Sequence, residues 1–276
     1  VLDDLYDPNH GTLDAPRFDF AVQATGSLAG QASQTMERLW WRLQAVRKVR
    51  QREFRAAWEA LRAGTPAGDF SALFDAHPTP GAHAGNAALV LRDNLRHRHD
   101  IERSYLKAIG EARHEVLIAN AYFIPGRKLR RALLMARQRG VRVRLLLQGK
   151  LDYRIAGMAA QVLYDELQQV GVRIFEYQPA FLHAKVLCVD EEWATVGSSN
   201  LDPLSMVLNL EGNLIVRDRG FVQTLSHSLQ ADFAQSREVP PPDTLNDRRW
   251  RTRVRRAVVA FLAKAYLRLG GSTGRY

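Results

Sequence analysis

Strand-like and helix-like patterns alternate through the second half of the chain, and this alternation restricts the fold more than any other feature. Strand patterns occur at 88–92, 116–120, 141–148 and 173–177, and helix patterns lie between them at 100–111, 127–139 and 156–170. Two short strand patterns, 184–189 and 193–196, are separated by three acidic residues and are typical of a hairpin. A strand at 213–216 and a helix at 221–236 follow. The pattern predicts a layered α/β/α domain with a mixed, largely parallel sheet.

The first 63 residues have a different organisation. A short strand is expected at 18–25, followed by a long basic helix at 33–61 whose tryptophans supply an apolar face. The favoured interpretation of this helix is a solvated, packed element, and the alternative is a nucleic-acid surface. Residues 64–87 are rich in proline and glycine. We therefore predict four parts: 1–63, a linker at 64–87, the main domain at 88–239, and a tail at 240–276.

The tail is a basic amphipathic segment. Residues 248–276 contain nine basic and no acidic residues, interleaved with apolar ones. Such a helix can lie in the interface of an anionic leaflet, where each basic residue contributes about 1 kcal/mol. The alternative is a terminal helix docked on the core.

Charge and cysteine content narrow the possible partners. The chain has 39 basic and 29 acidic residues, a net charge of +10, which favours nucleic acid, an anionic membrane or a phosphorylated substrate. Its single cysteine, Cys188, excludes an internal disulfide framework and a multi-cysteine zinc site. No apolar stretch approaches the roughly 20 residues that cross a bilayer, so membrane contact would be peripheral.

One segment concentrates residues that suit phosphoryl chemistry. On an extended strand residues 183, 185, 187 and 189 share one face, so the side chains of His183 and Lys185 point to the same side. Residues 182, 184, 186 and 188 are expected to face the other way, into a packed layer. A lysine can neutralise phosphoryl oxygens while a histidine attacks phosphorus or protonates a leaving oxygen. Ser198 and Asn200, beyond the hairpin, are expected to fold back and donate to the same phosphate. Glu211 is the expected carboxylate that orients the His183 ring.

These residues resemble the signature of the phospholipase D superfamily, H-x-K-x4-D followed by G-S/G-x-N. The chain reads His183-x-Lys185-x4-Asp190 and then Gly197-Ser198-Ser199-Asn200. The family places a histidine-orienting carboxylate 28 residues after the histidine, which is the position of Glu211. Segments 119–125 and 194–205 most resemble bacterial cardiolipin synthases, particularly the B type, and the resemblance extends over 88–239.

The resemblance implies a phosphatidyltransferase that makes cardiolipin from phosphatidylglycerol-type lipids, without a metal or other cofactor. It implies a peripheral position on the cytoplasmic side of a bacterial membrane, with anionic phospholipids as partners. The expected catalytic residues are His183, Lys185, Asp190 and Glu211, and Lys185, Ser198 and Asn200 are expected to bind phosphate. Two histidines act in such enzymes, one as the nucleophile that forms a phosphohistidine, and His183 would be the acid–base partner. For Asp190, an anchoring role and a direct role are both open.

The chain departs from the family in having only one H-x-K sequence. Residues 18–22 resemble the strand that follows a first motif, with Asp19 at the position equivalent to Glu211. We therefore expect the chain to begin after a missing first motif and to hold the end of an N-terminal lobe. The alternatives are a nuclease or phosphodiesterase that pairs two copies of His183 in a homodimer, and an inert basic module that binds membrane or nucleic acid.

Overall fold

A computed structural model describes residues 5–7, 11–63, 86–94, 97–150 and 163–241. The chain divides into two compact units, one formed by Val1–Val22 with Val90–Tyr276 and the other by Gln23–Leu89. The predicted amphipathic helix of the tail and nearly all of the predicted linker lie outside the described residues. Within the described part of the chain, no helix is long and apolar enough to cross a membrane.

The first unit is built on an eight-stranded sheet. In chain order its strands are β3 (Ala87–Arg92), β4 (Glu115–Asn120), β5 (Arg142–Gln148), β6 (Arg173–Tyr177), β7 (Lys185–Val189), β8 (Trp193–Gly197), β9 (Glu211–Val216) and β10 (Arg237–Glu238). Their spatial order is β10-β6-β5-β4-β7-β8-β9-β3, and the unit boundary crosses β3. Two short strands, β1 (Tyr6–Asp7) and β2 (Gly11–Thr12), form a separate pair.

The α/β class is confirmed, but the prediction of a largely parallel sheet is wrong. Strand β5 pairs in parallel with β4 and β6, whereas the pairs β4–β7, β7–β8, β8–β9 and β6–β10 are antiparallel. The predicted hairpin accounts for the β7–β8 pair, because a tight turn can join only antiparallel neighbours. Asp190 and Glu191 in that turn have φ values of 53° and 54°, as a type I′ turn requires.

Helices cover both faces of the sheet. One face packs against α3 (Asp100–Glu111), α4 (Arg127–Gln138) and the helical residues 163–168, here α5, around core residues such as Ile109, Leu133 and Leu167. A short helix, α6 (Pro203–Val207), follows β8. The opposite face packs against α7 (Arg219–Ala234), which begins where Asp218 accepts a hydrogen bond from the Phe221 N–H at 2.9 Å.

Strand β7 crosses the middle of this sandwich, which explains the alternation of its side chains. Leu187 and Val189 pack with the α3–α4 side, and Val186 and Cys188 pack with the α7 side. Burial raises the pKa of the Cys188 thiol to about 12, consistent with a small apolar core residue. The face assignment predicted for this strand is confirmed.

The second unit contains a helical hairpin rather than the single basic helix predicted at 33–61. Helix α1 (Ser27–Arg50) and helix α2 (Phe54–Ala63) pack against each other. Arg52 adopts a left-handed φ of 62° between them, and the Glu53 N–H donates to the Lys48 carbonyl. A left-handed residue after the last turn ends a helix. Neither glycine nor proline occurs at this break. The helical pattern of apolar residues therefore continues through it in the sequence, which is why the sequence predicts a single helix.

Candidate active site

His183 lies at one end of the sheet, two residues before β7, and a carboxylate from the beginning of the chain holds its ring. Its Nδ1 is 2.7 Å from Oδ2 of Asp19. The predicted strand at 18–25 is reduced to one bridge between Phe18 and Leu182, but that bridge sets the pair in place. The Phe18 N–H donates to the Phe181 carbonyl at 2.8 Å, and the His183 N–H donates to the Phe18 carbonyl at 2.7 Å.

Asp19 is itself well fixed. Its second oxygen, Oδ1, accepts the Phe20 N–H at 2.9 Å. Partial burial by itself raises the pKa of Asp19, but hydrogen bonds from His183 and Phe20 and the charges of His183 and Lys185 outweigh it, so the pKa is lowered. An ionised Asp19 keeps the proton of His183 on Nδ1. Since no described residue hydrogen-bonds to the other ring nitrogen, Nε2 is available for chemistry.

Lys185, the first residue of β7, places a buried cation beside this pair. Only 4% of the residue is exposed, and its Nζ donates to the His183 carbonyl. Burial lowers its pKa to about 8, although the carboxylates of Asp19 and Glu211 oppose that effect. The ammonium therefore loses its proton more easily than an ordinary lysine does.

Glu211 does not orient His183, contrary to the sequence-based expectation. Its Oε2 accepts from the Ser198 hydroxyl, and its Oε1 accepts from Asn209 Nδ2 at 3.2 Å. Glu211 begins β9, whose pairing with β8 places it next to the loop after Gly197 instead. Asp19 takes the role expected of Glu211 toward His183.

Ser198 and Asn200 do fold back to this end of the sheet, as predicted. The Ser198 N–H donates to the Gly212 carbonyl, and the Gly212 N–H donates to Ser198 Oγ, both at 3.1 Å. Asn200 carries a buried Oδ1 without a hydrogen-bond partner among the described residues. A buried amide oxygen in this state is costly unless a ligand or water donates to it.

Asn213 supports this loop and was not singled out in the sequence. It accepts from Ser199 Oγ at 2.8 Å and donates to Tyr105 Oη at 2.9 Å and Thr195 Oγ1 at 3.2 Å. A Cβ on Gly197 would lie 2.4 Å from the Asn213 side chain, so only glycine permits this approach. The glycine was visible in the motif, whereas its partner is one of many asparagines that no local pattern distinguishes.

Asp190 lies at the other end of β7, about 17 Å from Lys185 at the usual rise of about 3.3 Å per residue. Its carboxylate accepts three backbone N–H groups, from Arg113 at 2.7 Å and from His114 and Glu115 at 2.8 Å. Burial alone raises its pKa, but these hydrogen bonds lower it overall. Asp190 therefore ties the end of β7 to the residues that lead into β4, which favours the anchoring interpretation.

The arrangement thus offers an imidazole held by a carboxylate, a buried ammonium and neutral hydroxyl and amide groups at one end of the sheet. These groups suit nucleophilic attack on a phosphodiester or general acid–base catalysis of such an attack. Among the described residues, no cluster of three or more His, Cys, Asp or Glu side chains is placed to hold a metal ion.

Known families and proteins match this region. A family model described as "Cardiolipin synthase, PLD-like domain" matches residues 105–235. Cardiolipin synthase B of Escherichia coli strain K12 is 49% identical over 173 residues, which is 63% of this chain and 42% of that protein. Cardiolipin synthase A of Pseudomonas putida strain KT2440 is 43% identical over 145 residues, covering 52% of this chain and 30% of that protein. The matched segments thus span less than half the length of these curated relatives.

A solved structure shares the fold. The phosphatidylserine synthase of Haemophilus influenzae superposes with a TM-score of 0.50 at 14% identity, covering 66% of this chain and 46% of that one. This likeness supports the α/β architecture described above.

Proposed function

We propose that this chain, whose phospholipase D-like domain is homologous to cardiolipin synthase B, supplies half of the active site of a phosphatidyltransferase. The product would be cardiolipin, formed from phosphatidylglycerol-type lipids. The observation that carries the proposal is His183 with its Nδ1 on Asp19, 2.7 Å away, beside the buried Lys185. The second half-site would come from an N-terminal lobe with its own H-x-K motif, or from a second copy of the chain.

The proposed reaction has two displacements at phosphorus. In the first, a histidine nitrogen forms a P–N bond while the P–O bond to the leaving glycerol breaks, and an imidazolium donates its proton to the leaving oxygen. In the second, the ring that donated the proton in the first step takes a proton from the acceptor hydroxyl, whose oxygen attacks phosphorus as the P–N bond breaks. We assign the acid–base role to His183 and the nucleophile to the second half-site. The opposite assignment would use the same geometry.

Neighbouring groups would stabilise the charge that develops on the phosphoryl oxygens. Lys185 would supply the cation, and the Ser198 hydroxyl, which now donates to Glu211, and the Asn200 amide would supply neutral donors. When phosphate binds, the Asn200 amide would present its N–H₂ group to the phosphoryl oxygens, which accept hydrogen bonds.

Glu211 would hold the second histidine. Asp19, from the beginning of the chain, holds the histidine of the C-terminal motif across the site. If the two motifs are equivalent, Glu211 of the C-terminal motif would hold the histidine of the other half-site. Its contact with Ser198, on the loop after β8, supports this assignment, because that contact keeps Glu211 away from the Asp19–His183 pair.

The test uses the protein with its upstream coding residues restored, on vesicles that contain phosphatidylglycerol. Cardiolipin and glycerol should form in equal amounts, and His183→Ala should abolish both, while His227→Ala, on α7, should leave them unchanged. Glycerol or phosphatidic acid without cardiolipin would refute transfer in favour of hydrolysis.

A nuclease or phosphodiesterase is the second candidate, supported by the net charge of +10 and the arginine-rich helices of the second unit. Cleavage of DNA by a dimer of the chain, lost in His183→Ala, with no lipid product would favour it over the transferase.

A further inference from the structure

Exposed apolar side chains are concentrated on the helical hairpin of the second unit. Among the described residues, eleven large apolar side chains are exposed, and seven of them lie on α1 and α2. We call these seven the hairpin apolar surface: Met36, Trp40, Leu43, Val46, Val49, Phe54 and Trp58. Exposure of this many large side chains on 37 residues of helix and turn needs a partner to explain it.

Their spacing aligns the surface along the helices. Met36, Trp40 and Leu43 are separated by four and three residues, so they follow one face of α1. Phe54 and Trp58 are four residues apart on α2, and Phe54 is 67% exposed. The small residues of α2, Ala57 and Ala60, are the buried ones. The hairpin therefore packs through alanines and presents its aromatic side chains outward.

The same helices are strongly basic. Residues 27–63 contain eight arginines and lysines and three glutamates. Arg62 lies over the Trp58 ring, with its guanidinium carbon 5.4 Å from the ring centroid. Tryptophan, phenylalanine and leucine bordered by arginine are the composition of helices that lie in a membrane interface. The core of a protein–protein interface is depleted in charged residues, whereas here eight basic side chains lie on the same two helices and their turn as the apolar ones.

We propose that the α1–α2 hairpin is a membrane-docking element that inserts the hairpin apolar surface into an anionic bilayer. Its arginines and lysines would lie among the lipid phosphates, and its tryptophans at the level of the headgroups. The choice of an anionic lipid rests on the proposed function, because phosphatidylglycerol and cardiolipin are the anionic lipids with which such an enzyme would work.

The test places an environment-sensitive fluorophore on single introduced cysteines in the protein with its upstream coding residues restored. Leu43→Cys and Phe54→Cys report on the hairpin, and Met135→Cys, 47% exposed on α4, is the matched control. Cys188 is buried and should remain unlabelled in the native protein. With vesicles of equimolar phosphatidylglycerol and phosphatidylcholine, emission at the two hairpin positions should shift to shorter wavelength, and emission at 135 should not.

A second measurement uses unlabelled variants and vesicle sedimentation. Trp40→Gln combined with Leu43→Gln should weaken binding at least about tenfold, since burying each side chain is worth a factor of that order. Met135→Gln should bind like the wild type. Higher salt and vesicles of phosphatidylcholine alone should both weaken binding.

Three results would overturn the proposal. The first is hairpin labels that stay in water while the protein sediments with vesicles, which would assign binding to another segment such as the tail. The second is a wild type that does not bind vesicles at all. The third is a lipid-free wild-type dimer that the double variant converts to a monomer, which would make the surface a protein interface. His183→Ala should insert like the wild type, and the double variant, with the upstream coding residues restored, should keep its activity on detergent-dispersed lipid, so failure of docking and failure of the proposed chemistry are distinguishable.

Discussion

At the scale of single residues, two carboxylates and one lysine determine what the site can do. Asp19 fixes the His183 ring from one side, and Glu211 lies on the side of the Ser198 loop. Lys185 responds to both charges while it is almost fully buried. A buried ammonium needs nearby carboxylates to remain charged. Substitutions of Asp19, Glu211 or Lys185 should therefore change the protonation of the site more than they change the free energy of unfolding.

Asp19→Asn should reduce turnover by about 10²- to 10⁴-fold with little change in stability, because an amide no longer selects the Nδ1-protonated tautomer of His183. Nitrogen-15 NMR of labelled histidine should show that tautomer in the wild type and a mixture in the variant. Asp14→Asn, an exposed acid nearby, is the matched control. Wild-type tautomer and turnover in Asp19→Asn would contradict the role assigned to this carboxylate.

The lowered pKa of Lys185, about 8, predicts an alkaline limb in kcat/KM. In the free enzyme, only the charged form of Lys185 attracts the phosphate of the substrate. Because this charge is lost as pH rises through about 8, kcat/KM should fall over the same range. Lys185→Arg keeps its charge at every accessible pH, so whatever its absolute activity, this limb should move to higher pH. An identical limb in the wild type and the variant would assign it to another group.

At the scale of secondary-structure elements, some ends of β7 and β8 carry site residues and others hold the strands in place. Lys185 begins β7 at the site, and Asp190, directly after β7, accepts hydrogen bonds from three backbone N–H groups. Gly197 ends β8 against Asn213, and the loop that carries Ser198 and Asn200 starts there. Substitutions of the supporting residues Asp190 and Gly197 should therefore act through the positions of the strands and the loop, and not through loss of a reacting group.

Asp190→Ala should lower the free energy of unfolding by about 1–2 kcal/mol, since three backbone donors lose their acceptor. Turnover per folded molecule should remain near the wild-type value. The pKa of Asp190 is below its ordinary 3.8 in the folded protein, so its contribution is present above that pH and is lost as pH falls through the folded value. Denaturant titrations at neutral pH and near pH 3 check this. A large loss of kcat in a stable variant would instead assign Asp190 a direct role.

Gly197→Ala should destabilise the first unit by about 1–3 kcal/mol and reduce activity, because the new methyl group overlaps Asn213. Gly110→Ala on α3 is the matched control: no neighbouring atom lies within 4 Å of its added Cβ. That helical substitution should be neutral or stabilising by up to about 1 kcal/mol. Thermal unfolding of the two variants side by side measures the contrast, and equal effects would contradict the role of the Gly197–Asn213 contact.

At the scale of the whole molecule, the central question is how the second half of the site is supplied. H-x-K occurs once in the 276 residues, and the matched segment is 42% of the length of Escherichia coli cardiolipin synthase B. Our proposal requires a second motif, from an upstream lobe or from another copy.

The chain of 276 residues alone, as a monomer, should therefore show no phosphatidyl transfer or phosphodiester hydrolysis. Light scattering coupled to size exclusion gives the mass, and a chromogenic phosphodiester together with labelled phosphatidylglycerol reports activity. Turnover by a verified monomer that is lost in His183→Ala would refute the need for a second half-site. Turnover that appears only in a dimer would favour the homodimeric alternative.

The sequence alone was sufficient for the α/β class, the turn at Asp190, the faces of β7 and the shared side of His183 and Lys185. These properties depend on residues close in sequence and on the strand period of two, so they can be derived locally. Tertiary structure decided the mostly antiparallel pairing, the break at Arg52, the support from Asn213 and the choice of Asp19 over Glu211 for His183. That last contact joins residues 164 positions apart through one bridge at Phe18, and spacing along a chain carries no information about distances across a sheet.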